Sequence, residues 1–246
     1  MHSAGSFTEA LRLAELQSAI EHLKPGCSLL EIGAGTGWQA RELARLGFNV
    51  EAVDISDGTY TAGRIWPVRD YDGRNLPFPD ATFDAVFSSN VLEHIDRVHE
   101  HLVEQVRVLK PGGSMIHVVP TPTWRFWTSL TYYPAVLLRR LRRRATSRTD
   151  AGQPADQASA RRSRLSILWA PAHGTDDSPV KEIWTFSRFR WLGEFSRLPV
   201  AQVEHSRAGL FYSGYLLFGS HLSLPVRRLM ARVLGSSCRV FSMLKR

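Results

Sequence analysis

The sequence predicts an α/β fold, a doubly wound and mostly parallel sheet with helices on both faces, followed by a basic, aromatic-rich insert and a C-terminal tail. Short apolar runs alternate with helical periodicity over residues 1–120, with glycines at the joints. The chain is 43% apolar, which is enough to bury a sizeable core. Residues 1–120 carry 10 Lys and Arg against 16 Asp and Glu, whereas residues 121–246 carry 21 against 7. This asymmetry indicates two tasks on one chain.

The elements of the first half follow from their local patterns. Ser6 and Glu9 have the spacing of a capping box, which predicts the start of a first helix. Apolar runs predict buried strands and 3.6-residue periodicity predicts helices, separated by glycine-containing turns. The predicted order is a strand at Cys27–Ile32, a turn at Gly33–Gly37, a helix at Trp38–Leu46, a strand at Phe48–Val53 ending at Asp54, a strand at Phe83–Ser88, a helix at Val91–Leu109, a turn at Lys110–Gly113 and a strand at Ser114–Val119.

The residues best suited to hold a ligand follow the predicted strands. Parallel sheets of this kind bind ligands at the carboxyl ends of their strands. Gly33, Gly35 and Gly37 follow the first strand, where the absence of a Cβ lets the backbone approach a ligand. Asp54 ends the second strand, where a carboxylate can accept hydrogen bonds from both hydroxyls of a ribose. The pattern predicts a nucleoside-containing cofactor.

A dinucleotide fits this turn poorly. Its pyrophosphate requires the spacing G-x-G-x-x-G, whereas here the glycines occupy every second position and Trp38 follows them. Glu31 adds a carboxylate that would repel a diphosphate and suit a cationic amino-acid group.

Five motifs in order, within residues 27–120, closely resemble those of the class I S-adenosylmethionine-dependent methyltransferases, whose fold is Rossmann-like. The resemblance is strongest to the broad small-molecule group. The motifs are the glycine loop at residues 30–37, the acid Asp54, the segment 72–78, the strand and helix start at 83–94, and the turn 109–113. The family's reaction is attack of a nucleophile on the cofactor's methyl group, and alignment and desolvation can supply most of the rate.

The resemblance also implies roles for individual residues, with S-adenosyl-L-methionine as the cofactor. The glycine loop would face the methionine moiety, Asp54 would hold the ribose, Asp72 the adenine, and the Asn90 backbone the sulfur end. The predicted cofactor-binding residues are Glu31, Gly33, Ala34, Gly35, Gly37, Asp54, Ile55, Asp72, Gly73 and Asn90.

Two histidines are candidate catalytic residues. His94 follows the fourth predicted strand, and it could deprotonate an acceptor hydroxyl or only pair with Glu93 within its helix. The stretch resembles quinone-pathway O-methyltransferases, some of which bind a metal through a Glu where this chain has Asn90, so no metal is predicted. His173 resembles the His-Gly element of some glycan- and lipid-associated methyltransferases, or it is only a turn residue.

The second half admits three interpretations. Tryptophans and leucines precede a run of arginines at residues 139–144, which favours an anionic membrane surface or a lipid-linked acceptor. Binding to nucleic acid is less favoured because no RNA-binding motif accompanies the arginines. The third interpretation is a solvated helix face with a disordered loop. The aromatic residues at positions 184–195 are predicted to form the core of a final helix–strand unit.

The sequence as a whole predicts three regions. Residues 1–120 form the cofactor-binding core, residues 121–168 a partly disordered basic insert, and residues 169–246 the completion of the sheet with an acceptor- or membrane-facing segment. The predicted function is O-methylation of a hydroxyl on a lipid, isoprenoid or lipid-linked sugar. The alternatives are C- or N-methylation of a soluble metabolite and a non-catalytic cofactor- or membrane-binding module.

The predicted compartment is the cytoplasm, with membrane association at the periphery. The two cysteines, Cys27 and Cys238, lie too far apart in sequence for a ligand pair and favour a reducing compartment. No apolar run is long enough to span a membrane, and no signal peptide is evident. The sequence leaves the oligomeric state open.

Overall fold

The computed structural model describes residues 4–56, 61–146, 173–174, 178–214 and 221–246. It contains a seven-stranded sheet in the order β3-β2-β1-β4-β5-β7-β6. The strands are β1 (Ser28–Ile32), β2 (Asn49–Ile55), β3 (Arg69–Tyr71), β4 (Phe83–Ser89), β5 (Leu109–Pro120), β6 (Val200–Arg207) and β7 (Cys238–Lys245). The helices are α1 (Ala4–Ile20), α2 (Trp38–Arg45), α3 (Val98–Val108), α4 (Pro122–Thr146), α5 (Pro179–Thr185), α6 (Arg188–Phe195) and α7 (Leu224–Leu234), with 3₁₀ turns at Thr61–Gly63 and Leu92–His94.

The first five strands are parallel and the last two run antiparallel to their neighbours. The predicted doubly wound, mostly parallel sheet is therefore confirmed. Because β7 lies between β5 and β6, residues 200–245 complete the same sheet that residues 28–120 begin. Cys238 opposes Pro120, so the start of β7 lies at the edge where the parallel strands end.

Helices cover both faces of the sheet. On one face, Leu102 of α3 and Trp191 and Phe195 of α6 pack in a core with inward residues of β1, β4 and β5. On the other face, Leu16 and Ala19 of α1 pack over the same strands. β1 is buried along almost its whole length because helices lie on both sides of it.

Three local predictions are corrected by the structure. The first helix begins at Ala4, before the predicted capping box, so Ser6 lies inside it. The predicted helix 91–109 is divided: a 3₁₀ turn ends where Ile95 becomes extended, and α3 begins at Val98. The predicted turn 110–113 lies within β5, where the register with β4 shifts between Phe83 and Ala85.

The predicted aromatic core after residue 183 is only partly correct. Phe186, Trp191 and Phe195 are buried, whereas Trp184 and Phe189 are more than 60% exposed. Short helices present every third or fourth residue to the same side, so one face of α5 and α6 packs and the other is left outside. The predicted insert is helical up to Thr146. The rest of the predicted insert, residues 147–168, lies outside the described residues.

Candidate active site

The glycine loop between β1 and α2 forms a tight turn in which the glycines are required. Gly33, Gly35 and Gly37 all have positive φ, a conformation that L side chains rarely adopt. A Cβ on Gly33 would overlap the Cγ2 atom of Val91, and one on Gly37 would lie 2.5 Å from Trp66 Cβ. The loop therefore holds its shape only with glycine at these positions.

Asp54 in β2 ties this loop to the second strand. Its Oδ2 accepts a hydrogen bond from the Gly35 amide at 2.5 Å, and its Oδ1 accepts one from the Ile55 amide at 2.7 Å. Each carboxylate oxygen has further lone pairs. The carboxylate can therefore hold the loop and bind a ligand at the same time.

Glu31 lies behind the loop and is almost completely buried. Burial, with a smaller contribution from the charge of Asp54, raises its pKa to about 8. The side chain is therefore mostly protonated at neutral pH, and it is a weaker attraction for a cationic group than the sequence suggests.

A cavity of about 1000 Å³ opens at the ends of β1, β2 and β4. This is large enough for a nucleoside cofactor together with part of an acceptor. The predicted residues on its wall are Gly33, Gly35, Asp54, Ile55, Asp72, Gly73, Asn90 and His94. Glu31, Ala34 and Gly37 lie outside this wall, so a direct contact of theirs with a cofactor stays a prediction.

Asp72 is fixed by its own turn. Its Oδ1 accepts hydrogen bonds from the amides of Arg74 and Asn75, and its Oδ2 accepts one from the Asn75 side chain. These bonds lower the pKa of Asp72 and keep it ionised. An ionised, oriented carboxylate at this point of the wall can accept a hydrogen bond from an amino group of a ligand.

Asn90 follows β4 with a positive φ of 55°. Its amide donates to the Val118 carbonyl, and its Oδ1 accepts from Cys238 Sγ at 3.5 Å. The strained backbone is thus held by β5 on one side and by β7 on the other. The contact of Asn90 with the sulfur end of a cofactor stays a prediction.

The structure brings the two candidate catalytic histidines together. The rings of His94 and His173 lie 4.9 Å apart, and the His173 ring also lies 4.7 Å from that of Trp124. Burial lowers the pKa of His94, and burial together with His94 lowers the pKa of His173 to about 4. Both imidazoles are therefore neutral at pH 7 and can accept a proton.

A buried ion pair fixes His173. Glu182 accepts hydrogen bonds from the backbone amides of His173 at 2.5 Å and Gly174 at 2.6 Å, both through Oε1. Its Oε2 lies 3.1 Å from Nε of Arg125, and both side chains are almost completely buried. A Cβ on Gly174 would lie 2.7 Å from the Glu93 carbonyl oxygen, so only glycine permits this approach.

Glu93 lies beside the histidine pair and completes a set of three potential metal ligands. Glu93, His94 and His173 each place one ligand atom within 4.8 Å of the others. Both carboxylate oxygens of Glu93 are buried without a hydrogen-bond partner, and burial raises its pKa to about 8. The prediction that no metal is bound therefore stays a prediction, to be checked by direct metal analysis.

Sequence reasoning missed the wall formed by Tyr71 and His101. The Tyr71 hydroxyl lies 2.8 Å from His101 Nε2, while Gln105 Nε2 lies 3.0 Å from His101 Nδ1. Tyr71 and His101 both line the cavity. In the sequence, His101 has no partner at a meaningful spacing, so nothing there distinguishes it from a surface or core histidine. His101 and Gln105 are one helical turn apart on the buried face of α3. This spacing is the signal in the sequence that could have located His101.

Part of the chain that forms this cavity is similar to a known family of domains. Residues 30–117 match the family described as "Methyltransferase domain". Over these residues the chain is similar to methyltransferase domains. The glycine loop, Asp54, Asn90 and His94 all lie within the matched residues.

Relatives with known names match part of the chain. The demethylmenaquinone methyltransferase of Corynebacterium urealyticum is 44% identical over 95 residues, which are 38% of this chain and 41% of that protein. The protein of that name from Renibacterium salmoninarum is 36% identical over 121 residues, 48% of this chain and 51% of that protein. The chain thus matches about half or less of the length of these relatives.

Solved structures are similar over nearly the whole chain. An S-adenosylmethionine-dependent methyltransferase from Mesorhizobium loti has a TM-score of 0.54 at 19% identity, over 94% of this chain and 98% of its own. The geranyl diphosphate C-methyltransferase of Streptomyces coelicolor has a TM-score of 0.54 at 14% identity, over 97% of this chain and 82% of its own. These similarities confirm the Rossmann-like fold.

Proposed function

We propose that this protein is a methyltransferase that transfers the methyl group of S-adenosylmethionine to a hydroxyl group on an isoprenoid or other lipid. The observation that carries the proposal is the histidine pair beside the cofactor cavity. His94 is on the cavity wall, and His173 packs against its ring from a segment 79 residues later.

The proposed step is a direct displacement. As the acceptor oxygen forms a bond to the methyl carbon, the carbon–sulfur bond breaks and its electron pair stays on sulfur. The proton of the hydroxyl passes to the neutral imidazole of His94. The low pKa of His94 keeps its nitrogen unprotonated and able to accept this proton at pH 7.

The other residues orient the reactants in this proposal. Asp54 would accept hydrogen bonds from the ribose, and Asp72 one from the adenine amino group. Gly33 and Asn90 would lie at the methionine and sulfur end. Such alignment of a reactive sulfonium with the attacking oxygen can supply most of the rate.

A lipid acceptor is supported by the surface of α4 and α5. Phe126, Leu130, Tyr133 and Leu137 recur at helical spacing on α4, and each is more than half exposed. α5 packs on α4 and leaves Trp184 exposed. The matched relatives are named for a menaquinone precursor, which is also a lipid. The described helices include none long and apolar enough to cross a membrane.

Methyl transfer tests the proposal directly. Labelled S-adenosylmethionine is supplied with demethylmenaquinol and a panel of isoprenoid alcohols, and the site of methylation is read by NMR. His94→Ala should slow transfer about 100-fold or more, because a positioned base contributes that much, while cofactor affinity stays unchanged. His205→Ala, a change at an exposed histidine outside the cavity, serves as the control. Methylation at carbon or nitrogen, or full activity of His94→Ala, would contradict the assigned chemistry.

Membrane association is tested by sedimentation with vesicles of anionic or neutral lipid. We expect binding to anionic vesicles, release by salt, and weaker binding of Phe126→Ser/Leu130→Ser. Val103→Ser removes a similarly exposed apolar side chain from α3 and should have no effect. Equal recovery with neutral and anionic vesicles would rule out electrostatic attachment.

A further inference from the structure

A second concave region lies on the β6–β7 side of the sheet, outside the cofactor cavity. Two cavities of about 470 and 250 Å³ adjoin there and share Arg207 and Ser236. The larger is bounded by α1 and α7, and the smaller by the first turns of α4 and α6. Neither shares a lining residue with the cofactor cavity. We call the two cavities together the arginine groove.

Five arginines line the arginine groove. They are Arg188, Arg207, Arg228, Arg232 and Arg239. Among the described residues that line it, Glu21 is the one that is acidic. None of these arginines takes part in the ion pairs found among the described residues. The groove therefore concentrates positive charge that the described part of the protein does not neutralise.

The fold forces these charges together. Arg207 and Arg239 oppose each other on the paired strands β6 and β7, where like charges are destabilising. Arg228 and Arg232 are one turn apart on α7, which is also unfavourable for like charges. Burial, and then the charges of Arg188 and Arg207, lower the pKa of Arg239. A bound anion would relieve this repulsion.

The shape of the groove fits a compact anion. Guanidinium groups form paired hydrogen bonds with phosphate oxygens. The N-terminal ends of α4 and α6, whose dipoles are positive, border the smaller cavity. The smaller cavity has room for one phosphate or diphosphate group, and the larger one continues from it along α1 and α7.

We propose that the arginine groove is a binding site for a phosphate- or diphosphate-bearing ligand. Two sources of this chemistry fit: a phosphorylated small molecule, or the headgroup of an anionic lipid. The site is separate from the proposed methyl transfer. Binding of S-adenosylmethionine therefore tests the catalytic proposal and leaves this one untouched.

The first test is calorimetric titration of the full chain with pyrophosphate at low salt. We expect saturable binding that weakens at least about 10-fold in Arg188→Gln/Arg207→Gln, because two exposed guanidinium groups of the groove are lost. Arg45→Gln/Arg197→Gln removes two charges from exposed arginines elsewhere and should change the affinity by less than about twofold. Thermal unfolding and S-adenosylmethionine binding of each variant confirm that it is folded.

The second test uses vesicles of phosphatidylglycerol and of phosphatidylcholine. Pyrophosphate binding that depends on the groove, with vesicle binding that does not, assigns a phosphorylated small molecule. Phosphatidylglycerol binding that is lost in Arg188→Gln/Arg207→Gln and kept in the control assigns a lipid headgroup. The proposal is overturned if neither probe binds, or if both double variants weaken binding equally.

Discussion

The cofactor side and the acceptor side of the proposed active site are built differently. The cofactor side is made of short local segments at the ends of neighbouring strands: the Gly33–Gly37 turn after β1, Asp54 in β2, and Asn90 with its positive φ after β4. The acceptor side is made of residues brought together from distant positions, with the buried pair of Arg125 and Glu182 holding the backbone of His173. The first kind of site leaves ordered motifs in the sequence, whereas in the second the sequence showed single candidate residues and not the contacts between them.

Removing Glu182 should produce the largest effect. Glu182→Ala leaves the Arg125 guanidinium buried without this partner and frees the amides of His173 and Gly174. Breaking a buried ion pair costs about 3–5 kcal/mol of unfolding free energy, measured by urea denaturation. Asp80→Ala breaks an exposed pair with Arg107 and should cost less than about 1 kcal/mol. If the two variants lose the same free energy of unfolding, the buried pair of Arg125 and Glu182 contributes no more to stability than the exposed pair of Asp80 and Arg107.

A substitution in the glycine loop should weaken binding of the cofactor. Gly33→Ala places a Cβ against Val91 on the cavity wall, and we expect S-adenosylmethionine to bind about 100-fold more weakly, or about 2.7 kcal/mol. Gly26→Ala is the matched control, because its φ of +72° imposes the same strain while its Cβ would meet open space. Calorimetry should show unchanged cofactor affinity for the control. Similar losses in both would assign the effect to backbone strain alone.

Lowering the pH should have the smallest effect, which is a small decrease in the rate of methyl transfer. A histidine with an ordinary pKa of 6.5 would be half protonated at pH 6.5 and would halve the rate. Because burial lowers the pKa of His94, protonation that removes the proton acceptor begins at lower pH. Methyl transfer at saturating substrates should therefore fall by clearly less, between pH 7.5 and 6.5, than the roughly 1.8-fold that a base with a pKa of 6.5 would give. A fall of about 1.8-fold or more, with constant affinity for S-adenosylmethionine, would place the pKa of the base at or above its ordinary value.

The sequence predicted much of the fold and the cofactor wall because both depend on local patterns. Apolar runs located β1, β2, β4 and β5, and residues at the ends of β1, β2 and β4 line the cavity. The sequence did not predict which aromatic side chains are buried, because several arrangements fit the same pattern of residues and packing decides between them. Trp184 and Phe186 are close in the chain and both aromatic, yet only Phe186 is buried.

The acceptor side and the arginine groove lay beyond prediction for a related reason. The arginines were visible in the sequence as net charge, but the antiparallel return of β7 sets Arg239 opposite Arg207. In the same way, the cavity wall joins Tyr71 to His101 across 30 residues.

By itself, the sequence determined the four strands β1, β2, β4 and β5, the glycine loop and the acid at the end of β2, because each of these has a local pattern of apolar, glycine or acidic residues. Tertiary structure alone decided that His173 meets His94, that Glu182 is buried against Arg125, and that the arginines converge. Each of these contacts joins segments whose separation in the chain carries no local pattern, so only the packing of the complete sheet and its helices brings them together.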